Sequence, residues 1–537
     1  MHNGEQPGEA ARRRGGSVWR GVLVAVLAPA AAAGLFARLV SRYAFLGDDC
    51  FIAFRYAKNL IGGHGLVFNP GEYVEGYTDF LWVLLMAGFG RVGAPLELAS
   101  VVVGIASGAF VIFLVAWIGA RAAGWRDPLI WIAPLALASN RTFCAWSTGG
   151  LETQFFTALL LAGLVRFTVE RERSARRPWG SASLLALATL TRPEGVIFFG
   201  AAALLFLVDV VRRRRPLSAL AIWAAPYVAV VGAHLAWRLL YYGYPLPNTF
   251  YAKVSGIWLS QSSLYIGLFL RDHALVWLLP LVAFALAFRA RFVGILFAVS
   301  VFLYTLYVLA IGGDRFEFRL MTPVLPLLFW LLQEGIARSV ARWSPPERPR
   351  PAVVLAAIAA AILVLGAAYR PNTIDYPPER HDVASIEDIR AYAARRAGEG
   401  RFLAGLVDDG YLTGQELLAT GGVGALPYYS GLPVVDVYGL NDAAIAHRPI
   451  AERGRIAHEK TATPQDLKER GVVIVDVSNG IVWPERRRPA FLRPTAETPY
   501  YNGPLRVVVA KGRCLVFGTT LGPEQFRETF SRFEIVQ

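Results

Sequence analysis

The chain has 537 residues, 55% of them hydrophobic and only 18% charged, with a formal net charge of +14. Ordinary soluble domains are nearer a quarter charged, so these proportions exclude a disordered protein and point to a multi-pass membrane protein. The basic excess falls in short clusters between apolar stretches, at Arg12 to Arg14, Arg212 to Arg215, and Arg342 with Arg348 and Arg350. Charge placed in this way orients membrane helices. No polar stretch interleaves basic and aromatic residues as a nucleic-acid groove does, so nucleic acid is not an expected partner. The cysteines, Cys50, Cys144 and Cys514, are too few and too scattered for a metal site or a disulfide framework.

In chain order, residues 1–18 read as a cytoplasmic tail. The apolar stretch Val22 to Val40 reads as a first transmembrane helix rather than a signal peptide, being long enough to span and lacking an obvious cleavage site. About twelve candidate spans lie near 19–41, 79–93, 97–119, 128–146, 151–169, 180–192, 195–211, 216–239, 271–289, 292–311, 322–341 and 352–369. Beyond Arg370 hydropathy falls, and short β-like runs such as Val472 to Val475 and Leu505 to Val509 announce a soluble domain of mixed α/β character. The positive-inside rule places the basic clusters, including Arg171 to Arg177 and Arg289/Arg291, in the cytoplasm and residues 370–537 outside it. Ends on opposite sides require an odd number of crossings, about eleven. The 79–93 segment, short and interrupted by Gly88 and Gly90, is the weakest span, with 128–146 as the alternative half-helix.

Five polar segments then fall on the outer side: Asp48-Asp49, Ser147 to Thr153, Thr191 to Gly195, Leu246 to Lys253 and Gly312 to Arg319. A transporter would place ionisable groups and broken helices at mid-membrane, often in two matching halves. No internal repeat is evident here, and the pattern suggests a one-sided site. From Asp48 to Leu60 the sequence reads as an amphipathic helix along the interface, with Asp48, Arg55 and Asn59 on one face and Asp49 and Tyr56 on the next. Two adjacent carboxylates at a water-lipid boundary suit a general base, because like charge and partial desolvation raise one pKa. The competing reading, compatible with the first, is that Asp48 caps the helix.

Asp48-Asp49 through Asn59, Gly63 to Glu72 and Val74 to Thr78 together resemble the first periplasmic loop of polytopic GT-C glycosyltransferases. They are most similar to the terminal β-(1→2) arabinofuranosyltransferases of mycobacterial cell walls and their bacterial relatives. Thr148 to Thr153, Leu190 to Gly195, Pro247 to Lys253, Gly312 to Asp314 and Pro427 to Pro433 resemble that family too, as do Asp436, Tyr438 to Leu440 and Ile445 to His447. Asp79 departs from the asparagine expected after Gly76-Tyr77-Thr78.

The resemblance implies a GT-C transmembrane domain over 19–369 of a plasma-membrane protein, a catalytic first extracytoplasmic loop at 42–78 and an extracytoplasmic, acceptor-binding domain over 370–537. It implies a polyprenyl-phosphate sugar donor, with arabinofuranose the expected sugar, and an outer cell-envelope glycan as acceptor. Asp48 or Asp49 is the expected catalytic residue, and Arg55, Lys58, Arg192, Lys253, Arg315 and Arg319 are the candidate donor-phosphate ligands. Substrate-binding candidates are Tyr56, His64, Glu75, Tyr77, Glu152, Glu194, Asn248, Tyr251, Asp314, Tyr428 and Tyr429. No cofactor is required, although a divalent cation on Asp48 and Asp49 is compatible with carboxylate chemistry. Bland readings stand beside these: His64 in a glycine turn, Arg192 and Glu194 satisfying each other, and the tyrosines as core. The competing functions are a lipid-linked sugar transporter or flippase, and a non-catalytic glycan-binding membrane protein.

Overall fold

The computed structural model describes residues 7–173, 178–253, 256–273, 275–287, 291–343, 383–450, 458–477, 480–484 and 495–536. The expected span at 352–369 and the basic loop around Arg348 and Arg350 lie outside the described residues. The chain divides into two compact units. One comprises 1–44, 101–231 and 258–374, and the other 45–100, 232–257 and 375–537. The first polar loop thus belongs to the same unit as the C-terminal domain, a grouping that differs from a single boundary at residue 370.

Among the described residues six helices are long and apolar enough to cross a membrane: Leu23–Arg42, Leu96–Ala123, Thr153–Glu172, Leu217–Tyr242, Phe292–Ile311 and Arg319–Arg342. The apolar helices Phe80–Arg91, Trp179–Thr191 and Gly195–Val211 are shorter than a full span. Two expected spans are not continuous. The 128–146 run breaks at Asn140, whose extended backbone ends the Ile132–Ser139 helix and whose side chain accepts the Phe143 N–H at 2.8 Å to start Arg141–Ala145. A residue that caps well interrupts a helix even inside an apolar run. The 271–289 run divides into the end of Leu259–Asp272, a 3-10 turn at Leu275–Trp277 and a new helix at Leu279–Ala287. Pro280 explains the restart, since proline has no N–H to donate and sits comfortably only in a first turn.

Within the first unit small residues permit close helix approach, as expected where lipid supplies no hydrophobic drive for association. A Cβ on Gly163 of Thr153–Glu172 would lie 2.9 Å from Leu185 of Trp179–Thr191. In the second unit a sheet has strands β1 (Leu418–Thr420), β2 (Val434–Asp436), β3 (Ile474–Val475), β4 (Val482–Pro484), β5 (Thr495–Thr498), β6 (Tyr501–Ala510), β7 (Arg513–Gly518) and β8 (Glu534–Ile535). The order is β2-β1-β3-β7-β6-β5, with β4 on β7 and β8 on β6. Parallel pairing of β1 with β2 and β3 gives way to antiparallel pairing from β3 onward. The two β-like runs read from the sequence are β3 and β6.

β1 reaches β2 through a glycine-rich turn, Gly421-Gly422-Val423-Gly424, and the short Ala425–Ser430 helix. The Ile386–Asp408 helix packs against that short helix and begins with a Ser385/Asp388 capping box. Arg396 on its buried face donates to Glu399 and Asp476, each at 2.7 Å, and to Thr420 at 2.9 Å. Those bonds gather the carboxyl ends of β1 and β3, where open α/β sheets ordinarily present their ligand crevice.

Candidate functional site

The adjacent aspartates face different partners. Asp49 is at the N-cap position of Cys50–Ile61 but makes no side-chain capping bond there. Asp48, 8% exposed, accepts the Ala425 N–H at 2.8 Å on Oδ1 and the Gly424 N–H at 3.2 Å on Oδ2. These amides open the Ala425–Ser430 helix, whose own N-cap, Gly424, has no side chain to offer. Asp48 therefore does cap a helix, but one more than 370 residues away rather than its own. A helix N-terminus rewards a carboxylate twice, by hydrogen bonding and by its dipole. The approach is tight: a Cβ on Gly424 would meet the Asp48 carbonyl oxygen at 1.9 Å. Asp49 remains half-buried beside this anchored neighbour. Burial and the nearby aspartates push the Cys50 thiol well up, so it stays protonated.

The Cys50–Ile61 helix is more enclosed than the amphipathic pattern suggests: Cys50 through Ala57 are all buried, and exposure begins at Lys58. Arg55 donates to the carbonyls of Phe68 (2.9 Å), Pro427 (2.7 Å) and Leu432 (2.9 Å) and to Asn69 Oδ1 at 3.3 Å. Four of its five N–H donors are thereby committed, and burial lowers its pKa to about 10. It stitches the loop to the C-terminal domain, and a single N–H of the expected phosphate ligand lies outside these bonds. Tyr56 and Tyr77 are likewise internal. The Tyr56 hydroxyl donates to the Val74 carbonyl at 2.7 Å and accepts the Gly76 N–H at 2.8 Å, while the Tyr77 and Tyr242 hydroxyls meet at 3.1 Å. Glu75 pairs with Arg238 at 2.7 Å, and burial still pushes its carboxyl up to about 7.

Asn248 donates to the carbonyls of Gly439 and Leu440 at 2.8 and 2.9 Å, joining the Asn248–Lys253 helix to the C-terminal domain. Tyr251 packs edge-on against His447 at 4.3 Å, and Lys253 is half-exposed at the end of that helix. Exposed groups are fewer. His64 is exposed in its glycine turn, and Lys58 is exposed with its ammonium 5.6 Å from the centre of the Tyr428 ring. Tyr428 also packs on Phe51 at 5.3 Å, while Tyr429 carries Arg401 at 4.0 Å and donates to Glu97 at 2.9 Å. Both rings are part of the packing of this surface rather than open stacking platforms.

The remaining candidates lie in the other unit. Arg192 is held between Glu152 and Glu194 and is 8% exposed. Its extended backbone precedes Pro193, which disfavours helix at the residue before it and explains the break. Two carboxylates around one buried guanidinium leave a net negative group, which weighs against a phosphate at Arg192. Arg319 pairs with Asp314 at 3.0 Å, and Arg315 and Arg319 both lie against Phe316, at 4.7 and 4.9 Å.

The sequence reading gave no role to three buried arginines. Arg141 forms a two-pronged pair with Glu317, both bonds 2.9 Å. It belongs to an Asn140-Arg141-Thr142 sequon that is buried and so unavailable for glycosylation. Arg238 lies in an apolar helix and Arg396 in a polar one. A charge inside an apolar run is the signal that would have flagged Arg238. Among the described residues no group of three or more His, Cys, Asp or Glu side chains is placed to hold a metal ion.

Solved structures share this architecture. ArnT from Cupriavidus metallidurans bound to undecaprenyl phosphate aligns with a TM-score of 0.58 over 93% of this chain and 99% of that one, at 13% identity. Its apo form aligns at 0.57, with 15% identity and 98% of its length covered. The chain has the ArnT fold. It is a polytopic helical membrane protein with a C-terminal α/β domain, as the sequence suggested. In sequence it is 31% identical over 247 residues to the terminal beta-(1->2)-arabinofuranosyltransferase of Mycobacterium tuberculosis, covering 43% of this chain and 38% of the relative. The enzyme of the same name from Corynebacterium glutamicum is 27% identical over 360 residues, covering 58% of this chain and 51% of the relative. These matches thus span about half the length of the relatives or less. A family model described as a domain of unknown function (DUF8728) matches residues 389–509.

Proposed function

We propose that this chain is a membrane glycosyltransferase that moves a sugar, arabinofuranose by its sequence likeness, from a polyprenyl-phosphate donor to an extracytoplasmic cell-envelope glycan. The observation that carries the reading is the division of labour at Asp48-Asp49. One carboxylate is anchored on two backbone amides, and its half-buried neighbour is held at the start of a rigid helix. Asp49 is the base, and Asp48 is the residue that positions it. Partial likeness to two arabinofuranosyltransferases and the fold of a protein seen with undecaprenyl phosphate supply the substrate classes.

In the proposed reaction the acceptor hydroxyl oxygen bonds to the anomeric carbon and gives its proton to Asp49. The bond from that carbon to the phosphate oxygen breaks, and both electrons leave with the lipid phosphate. Lys58, the exposed cation on the same helix, is the candidate partner for the departing charge. Phosphate is a good leaving group, so no general acid is needed. The test is an assay of the purified protein with polyprenyl-phosphate arabinofuranose, with mannose and other pentose donors beside it, against oligosaccharide acceptors. Product from the arabinofuranose donor is expected; no product from any donor would overturn the reading, and lipid movement across vesicles without acceptor would replace it with a flippase.

A further inference from the structure

A groove of about 320 Å³ opens in the membrane unit where three helices present their ends. Leu96–Ala123 contributes Trp117 and Arg121 near its C-terminus, Thr153–Glu172 contributes Val169 and Glu172, and Arg291 stands immediately before Phe292–Ile311. The deeper wall is apolar, with Val165, Val293 and the buried Trp330. The rim is charged. Arg121 and Arg291 share it with one carboxylate, Glu172, while Glu334 beside Arg291 is itself paired with Arg338 at 2.7 Å; these three arginines and two glutamates leave one positive charge in excess, and the N-terminus of Phe292–Ile311 adds the positive end of its dipole.

The two arginines are loosely held. Arg121 meets Glu172 at 2.7 Å with both side chains well exposed, at 38% and 52%, and Arg291 is 3.8 Å from Glu334 with 47% of its side chain exposed. Exposed ion pairs of this kind contribute little and exchange partners readily. The Arg121 guanidinium also lies 5.0 Å from the centre of the Trp117 ring, a cation and aromatic pairing typical of a membrane interface. Phe110 and Phe113, earlier on the same helix, are 44% and 51% exposed, as expected where a helix meets acyl chains rather than protein.

We infer that this groove is a binding site for an anionic phospholipid, its phosphate between Arg121 and Arg291 and the upper part of one acyl chain along the Val165, Val293 and Trp330 wall. The volume falls in the range of small-molecule pockets, and a basic rim above an apolar floor complements an anionic head on a hydrocarbon chain. A neutral or zwitterionic lipid fits the floor but not the rim, and a free phosphate fits the rim but not the floor. The site is built from residues that the proposed transfer reaction does not use.

The test measures lipid retention by native mass spectrometry, and thermal stability in detergent, for the full chain given phosphatidylglycerol, phosphatidylcholine or glycerol phosphate. Phosphatidylglycerol is expected to be retained and to raise the unfolding midpoint, and the other two are not. Arg121→Gln and Arg291→Gln should each weaken phosphatidylglycerol binding about fivefold, the scale of one arginine near an anionic lipid surface. Arg212→Gln, an exposed arginine outside the groove, should leave it unchanged. Equal retention of phosphatidylcholine, equal protection by glycerol phosphate, or wild-type binding in both groove variants would each overturn the assignment.

Discussion

Substituting the two adjacent aspartates one at a time should separate anchoring from chemistry. In Asp48→Asn one side-chain oxygen survives to accept an amide, while the new NH2 group points a donor at the other. Hydrogen bonds to a charged group contribute about 1.5–3 kcal/mol each. Losing one of the two bonds at Gly424 and Ala425 and facing donor to donor therefore costs about 2–4 kcal/mol of the attachment between loop and domain. The protein should unfold at a lower temperature, with transfer activity falling in step. Asp49→Asn keeps the side chain's size and should lower turnover by about 10²–10⁴, the usual range for a lost general base. The paired measurements are detergent thermal unfolding and sugar transfer from a polyprenyl-phosphate donor. Wild-type turnover in Asp49→Asn would refute the assignment of the base. Unaltered stability in Asp48→Asn would refute the anchoring argument.

Four further outcomes follow from the same geometry. Gly424→Ala places a methyl on the Asp48 carbonyl oxygen, and should destabilise the protein by about 1–3 kcal/mol or more, measured by the same unfolding assay. Arg192→Gln leaves Glu152 and Glu194 buried without their cation, so a loss of about 3–5 kcal/mol and poor recovery of folded protein are expected. Lys58→Ala should change stability little, because the side chain is exposed, yet raise the donor KM in a manner that high salt masks. Burial raises Asp436 from 3.8 to about 6. The folded state then holds its proton more tightly than the unfolded chain, so this contribution is present below about pH 4 and is lost as pH rises through 6. The fall in unfolding midpoint between those values should be shallower in Asp436→Asn.

Much of the architecture was legible because hydropathy is a property of composition along the chain. Lipid-facing and core-facing helix surfaces are both apolar, so long apolar runs mark helices wherever they pack. The same feature hides breaks. Asn140 and Pro280 sit inside apolar runs, and their capping and backbone chemistry decides continuity where average hydropathy does not. Short helices such as Phe80–Arg91 were correspondingly hard to count as spans.

The sequence by itself determined a membrane protein with a C-terminal α/β domain and singled out the segment around Asp48 and Asp49. Which of its polar residues have internal partners was decided only by the tertiary structure. Arg55 reads as a cation on an interfacial face, yet its donors are taken by carbonyls from residues 427 and 432. Glu75 reads as a loop carboxylate, yet it is buried on Arg238, 163 residues away. Local pattern records side-chain chemistry and helix period, and it carries no information about which distant carbonyl or amide will arrive. Asp48 and Asp49, identical in type and adjacent in sequence, are distinguished by the two amides of Gly424 and Ala425, which only the folded chain brings to one of them.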